Sequence, residues 1–349
     1  MSQNYFNAYR FVSNMLSPFV SSNEISLQLT RLTSLDWELV ASVAGSHSVI
    51  QALYPAFVKH ELVDQIPDDF LSYIQHLYEI NCERNERMKR QLIDAVLVIN
   101  KLDIKPLLMK GAAQLFLNTF SSVGDRLLID LDILVPADEI KHICNELIAV
   151  GYEIYEDKIH FIDSHHHYPP LIKQDECAMI ELHRDLMHRE QQHIFPTGYA
   201  WRKAIDITLP GAAEVKVLTP TYRVFHSFLH RCVVDKLDQK GHVEIRQLHE
   251  LARAQFINSS DIDWEEMLGY AYDHGVHRQL YTNLYAASKF MKIHGLEKML
   301  NKHTMRSIFQ YIRVCSKLKY DWYDDLDIKL TRRISRFQSK SNGLTSTLA

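Results

Sequence analysis

The chain has 349 residues, 46% of them hydrophobic and 23% charged, with a formal net charge of −4. A composition this close to the globular average excludes a disordered polypeptide, and the length leaves room for two or three domains. The slight acidity excludes a protein held on nucleic acid by a global positive field, while leaving room for a local basic groove.

Residues 1–103 read as a helical region. "TSLDWELVASVAGSHSVIQALYPAF" carries apolar residues at three-to-four spacing, and from Pro67 to about Leu102 the pattern continues as one long helix. Pro67 with Asp68 and Asp69 suits its start, Phe70, Leu71, Ile74, Leu77 and Tyr78 form its stripe, and its charged middle, "NCERNERMKR", is expected to be solvated.

Strands and helices then alternate, which places the α/β core of an α+β protein at 104–196. "IKPLLMKG" reads as a short buried strand ended by glycine, "AAQLFLNTF" as a helix, and "RLLIDLDILV" as a second strand. "ADEIKHICNELIAVG" is an amphipathic helix closed by Gly151, and "YEIYED", "HHHYPPLIK" and "CAMIELHRDL" are strand-like. From about 197 the pattern reads as helical again, giving a C-terminal helical domain over 197–330. Thr219 serves as N-cap and Pro220 as first helical residue of a helix with Val224, Phe225, Phe228, Leu229 and Cys232 as its stripe. The basic tail 331–349 is expected to fray.

Five cysteines, odd in number and without CxxC spacing, suggest reduced thiols. The N-terminus lacks a signal-peptide layout, and the longest clean apolar run, "AVLVI", is far short of a membrane span. The expectation is a cytoplasmic protein with no membrane partner.

Asp130 and Asp132 interrupt the apolar strand "IDLDILV". Aspartate is a poor strand former and a buried unpaired carboxylate is costly. In a strand the two share a face, with Cα atoms about 6.5–7 Å apart, while Leu131 and Ile133 face the core. Two carboxylates so placed can bind or bridge divalent cations; a solvated strand end is the alternative. Lys110 and Gly111, where a strand passes into a helix, could hold a phosphate, and Arg126 could supply charge to it, or could pair with Asp125 or Glu139. Glu181 offers a third acid on a later strand, with Asp185 as its competitor, and His183 shares the face of Glu181.

Taken in order, "LMKGAA", "DRLLIDLDILV", "AVGYE" and "IELHRDL" resemble the polymerase-beta-like nucleotidyltransferases, and most closely the uncharacterised nucleotidyltransferase family. The resemblance covers about 105–190; "FLHRC" and "IRQLHELARA" are similar to that family's C-terminal motifs. It implies a nucleotidyltransferase core on a small mixed sheet, and transfer of an NMP from an NTP, ATP foremost, with pyrophosphate release. It implies Asp130, Asp132 and Glu181 as catalytic metal-binding acids for Mg²⁺ or Mn²⁺, with Lys110 and Gly111 at the triphosphate; Arg126 and His183 are placed at the nucleotide by their positions, with a hydrogen-bonded core histidine as the alternative for His183. Ala112 stands where the wider superfamily has serine, which removes a hydroxyl from the phosphate site. The interval from Gly111 to Asp130 is also longer, which places an extended loop, "NTFSSVGD", near the nucleotide. The acceptor, whether small molecule, protein or RNA, is not implied, and DNA is not expected. The alternative is an inactive fold that binds nucleotide or a partner.

Seven of nineteen histidines fall between His160 and His193. The run His165, His166, His167 invites a zinc reading, but consecutive residues of an extended segment alternate faces and disfavour a shared ion. His226 and His230 have the i, i+4 spacing of helical metal ligands without an HExxH frame, so packing is favoured there.

Overall fold

In the computed structural model, which describes residues 2–155, 165–235, 243–294, 296 and 304–319, the first hundred residues are helical as their spacing predicts. Four helices, α1 (Ser2–Leu16), α2 (Ser22–Leu29), α3 (Ser34–Ser46) and α4 (Leu53–Lys59), precede the 33-residue α5 (Asp68–Asn100). Alternation follows with β1 (Leu107–Leu108), α6 (Lys110–Gln114), β2 (Asp130–Leu134), α7 (Ile140–Ala149), β3 (Tyr152–Ile154), β4 (Leu171–Lys173) and β5 (Met179–His183). The basic tail lies outside the described residues.

The middle of α5 is solvated only on the side that carries Glu83, Glu86 and Arg90. Asn81 and Asn85 are buried, and their side-chain amides donate to the carbonyls of Gly124, Val123 and Arg126 at 2.6–3.0 Å. Polar residues sit there because a non-regular loop packs on the helix, and its carbonyls need donors that its own backbone does not supply. The segment after α6, expected as helix to Phe120, belongs to that loop: α6 ends at Gln114.

The sheet is mixed and seven-stranded, in the order β3-β4-β5-β2-β1-β7-β6. Its last two strands, β6 (Ala204–Thr208) and β7 (Glu214–Leu218), follow α8 (Thr197–Arg202) in a stretch expected to be helical. Ile205 and Ile207 alternate with polar residues, as do Val215 and Val217, and Gly211 at φ 74° makes the turn between them. The period of two was present there; the strength of the helical pattern on either side obscured it. β7 is parallel to β1, and β1 is antiparallel to β2.

Each sheet face is covered. Leu108, Leu131, Ile133, Ile180, Leu182, Val215 and Val217 share one core with α7 and the second half of α5. Leu107, Leu134 and Leu218 join a second core that merges the N-terminal helices with the C-terminal ones. The latter are α9 (Pro220–Phe228), running into a π-helical turn at Leu229–Val234, then α10 (Ile245–Ile257), Trp264–Asp273, His277–Phe290 and Thr304–Lys319. Thr219 and Pro220 start α9 as expected, and its stripe is buried. The architecture is α+β, a central sheet flanked by helices.

Candidate active site

β2 and β5 are parallel neighbours, in a register that sets Asp132 opposite Glu181 and Leu134 opposite His183. Leu131, Ile133, Ile180 and Leu182 are fully buried on the opposite face. A slip by one residue would drive the acids into that core, so hydrophobic burial fixes which carboxylates meet.

Asp132 is 1% exposed. Lys110 Nζ and His183 Nε2 both donate to its Oδ1 at 2.8 Å, and Glu181 Oε2 lies 3.7 Å from the same imidazole nitrogen. Burial alone would raise the Asp132 pKa, but the Lys110 charge and the His183 hydrogen bond outweigh it and hold the carboxyl well below its usual range. His183 answers in kind: burial would lower it, and its hydrogen bond to Asp132 and the nearby Glu181 carboxylate raise it. Glu181 is lowered, burial again being outweighed by His183 and His167. Asp130, two residues up the same face, is raised by burial and by the charges of Asp132 and Glu181. Donor atoms of Asp132, Glu181 and His183 lie within 4.8 Å of one another. Asp185 is turned elsewhere, accepting from Thr197 Oγ1 at 3.1 Å.

Lys110 reaches Asp132 because the chain turns sharply out of β1: Lys110 sits at φ 42°, a left-handed conformation unusual for lysine. The next residue must be small. A Cβ on Gly111 would lie 2.4 Å from Arg126 Nη1 and 3.1 Å from Leu128 Cδ2. Arg126 is held by Glu250 of α10, Nε to Oε1 at 2.9 Å, rather than by Asp125 or Glu139.

A cavity of about 230 Å³ opens against these residues. Lys110, Gly111, Arg126, Asp130 and Asp132 line one side, while Glu181 and His183 stand outside the lining. The opposite side is built by α9, the π-helical turn and α10, which contribute Arg223, His226, His230, Arg231, Arg246, Gln247 and Glu250. Lys110, Arg126, Arg223, Arg231 and Arg246 outnumber Asp130, Asp132 and Glu250, a balance suited to a polyanion. The three arginines of the far side were not anticipated as site residues. Two of them, Arg231 and Arg246, had a signal in the likeness of "FLHRC" and "IRQLHELARA" to the family's C-terminal motifs; Arg223 lies in neither. His226 is buried, as the packing reading expects, yet both it and His230 face the cavity.

A model of the uncharacterised nucleotidyltransferase family matches residues 33–292. The chain belongs to this family. The match takes in the helices on both sides of the sheet as well as the acids, so the far wall of the cavity is part of the family's unit. Membership makes the chain a transferase of nucleotidyl groups with an NTP as donor. Searches of curated proteins and of solved structures found no match. Among the described residues no helix is long and apolar enough to cross a membrane.

Proposed function

We propose that the protein is a polymerase-beta-like, metal-dependent nucleotidyltransferase, moving an NMP from an NTP, ATP foremost, to an acceptor hydroxyl or phosphate with release of pyrophosphate. The observation that carries this reading is Asp130 and Asp132 on one strand face lining an arginine-rich cavity, with Glu181 paired in register beside Asp132.

The donor set fits magnesium. Carboxylate oxygens are its preferred ligands, and Asp132 and Glu181 are ionised and already share a neighbourhood within 4.8 Å. Asp130, Asp132 and Glu181 would hold the ion, and a bound ion supplies charge neutralisation at the phosphates and activation of the attacking oxygen. The protein's own groups do the rest by positioning, which phosphoryl chemistry chiefly requires. Lys110 and His183 keep Asp132 ionised and oriented. Lys110 and Arg126 orient the triphosphate from the sheet side and Arg223, Arg231 and Arg246 from the helical side. Glu181 orients the acceptor or takes its proton. The acceptor is a small molecule, a protein side chain or an RNA end.

The test is calorimetric titration of each NTP with Mg²⁺ and Mn²⁺, with pyrophosphate release followed in cell extract. Metal-dependent binding in the wild type that vanishes in Asp130→Asn/Asp132→Asn is expected. Either single replacement should lower turnover by about 10²–10³, the scale of removing one well-placed electrostatic stabiliser. No metal-dependent binding in the wild type would sink the reading, and binding without pyrophosphate release would leave a nucleotide-binding module.

A further inference from the structure

His165 and His166 escape the alternation that would turn neighbouring rings to opposite faces. They lie in a bend just before the single bridge between His167 and His183, and their ring centroids are 4.3 Å apart. His188, from the loop after β5, brings a third ring 3.9 Å from that of His166 and 5.8 Å from that of His165. The arrangement is pinned through the backbone, because the N–H groups of Arg184 and Asp185 both donate to the His166 carbonyl, at 3.0 and 3.2 Å. One ring nitrogen from each of the three lies within 4.8 Å of the other two.

We propose that His165, His166 and His188 form a binding site for a zinc-type transition ion, distinct from the carboxylate site on β2 and β5. Three half-buried imidazoles are the donor set that zinc takes when it keeps a fourth position open to water, and they are poor ligands for magnesium. The two sites share no residue and differ in hardness: oxygen donors in one, nitrogen donors in the other. Burial lowers the pKa of His165 to about 4 and lowers those of His166 and His188 too, helped by the charges of neighbouring histidines at His165 and His166 and by that of Lys110 at His188. The rings are therefore neutral at pH 7, the form in which imidazole ligates a metal. Zn–N bonds of about 2.0–2.1 Å in a tetrahedron place nitrogens about 3.3–3.4 Å apart, so the rings close by at most about 1.5 Å on loading. The ion would tie the histidine bend to the loop behind β5. That brace backs the candidate active site, since the His166 ring lies 5.3 Å from that of His183.

The test uses the full chain stripped of metal by chelation, titrated with ZnCl₂ by calorimetry in excess MgCl₂. Expected is one Zn²⁺ per chain with a dissociation constant of about 1 µM or tighter. His188→Ala, and separately His165→Ala/His166→Ala, should weaken it by about 100-fold or more, whereas Asp132→Asn/Glu181→Gln leaves it in place. Cobalt(II) in the unaltered protein gives a readout that needs no variant: strong visible bands of a four-coordinate ion are expected. Zinc binding weaker than about 100 µM in the wild type would overturn the proposal. So would weak six-coordinate cobalt bands, binding indifferent to the histidine replacements, or binding lost with the carboxylates instead. None of these readouts passes through NTP, so failure here leaves the nucleotidyl-transfer reading standing.

Discussion

Asp132 shows how a carboxylate can be fully buried in an apolar strand. Its charge is balanced by Lys110 and His183 on one oxygen, and the backbone around it is committed to the sheet. Gly111 is the other decisive residue, because the guanidinium of Arg126 occupies the space a side chain would need. Gly111→Ala is expected to unfold within about 1 kcal/mol of the wild type, since its backbone φ is one that alanine adopts and a side-chain end can give way. Displacing Arg126 from the cavity wall should cost far more in function, about tenfold or more in metal-dependent NTP affinity or turnover. Parallel urea unfolding and calorimetry check this; an equal loss in both would mean that Gly111 serves packing alone.

At the scale of elements, the placement of the site depends on how α5 grips the loop that carries Arg126. Asn85 donates to Val123 and Arg126 carbonyls at 2.6 and 2.8 Å, and it is fully buried. Asn85→Ala leaves those carbonyls without that donor and is expected to destabilise the fold by about 1–3 kcal/mol, read from the urea midpoint. NTP affinity should fall as well, because Arg126 loses its platform. On the opposite wall, the π-helical turn at Leu229–Val234 follows α9 where His230 and Arg231 meet the cavity. Such turns are rare and cluster at functional sites, because the extra residue shifts the side chains that follow out of α-helical phase. Arg231 is then tied down by Asp235 at 2.9 Å and by Glu244.

Across the whole molecule, the cavity lies where the sheet meets the helices that follow it, so the stability of that junction governs the site. Two buried histidines are held neutral, His226 at that junction and His249 on α10 where it meets Phe120 and Lys59, each pushed down to about 3, chiefly by burial. Their folded-state pKa lies below the unfolded value of 6.5, so between those limits the unfolded chain binds more protons. Stability is therefore expected to fall as pH drops below about 6.5, by about 1.4 kcal/mol per pH unit for each histidine until its folded-state pKa is reached. His249→Gln should make the dependence shallower by about one proton's worth, measured by urea unfolding at pH 7.5, 6 and 5. An unchanged slope would show that His249 titrates normally in the fold.

Local pattern alone specified a good deal of this protein. Apolar spacing of three to four gave the N-terminal helices and α9, and the D-x-D alternation gave the strand on which Asp130 and Asp132 share a face, because side-chain direction in a helix or strand is a local property. The order of the motifs pointed to the nucleotidyltransferase family before any geometry was available. Four things required the folded chain. The parallel register of β2 and β5 placed Glu181 beside Asp132, a pairing between strands 49 residues apart in sequence that only burial of the opposite face enforces. The buried amides of α5 read as surface, since a polar residue is buried wherever a loop needs its donors. The arginines of the far cavity wall come from helices more than a hundred residues beyond Lys110, and their approach to the sheet depends on a shared core. The histidine cluster, finally, exists because a bend overrides strand alternation and a distant loop supplies the third ring. In each case the deciding energy is that of contacts between segments far apart in the chain, and no local period encodes it.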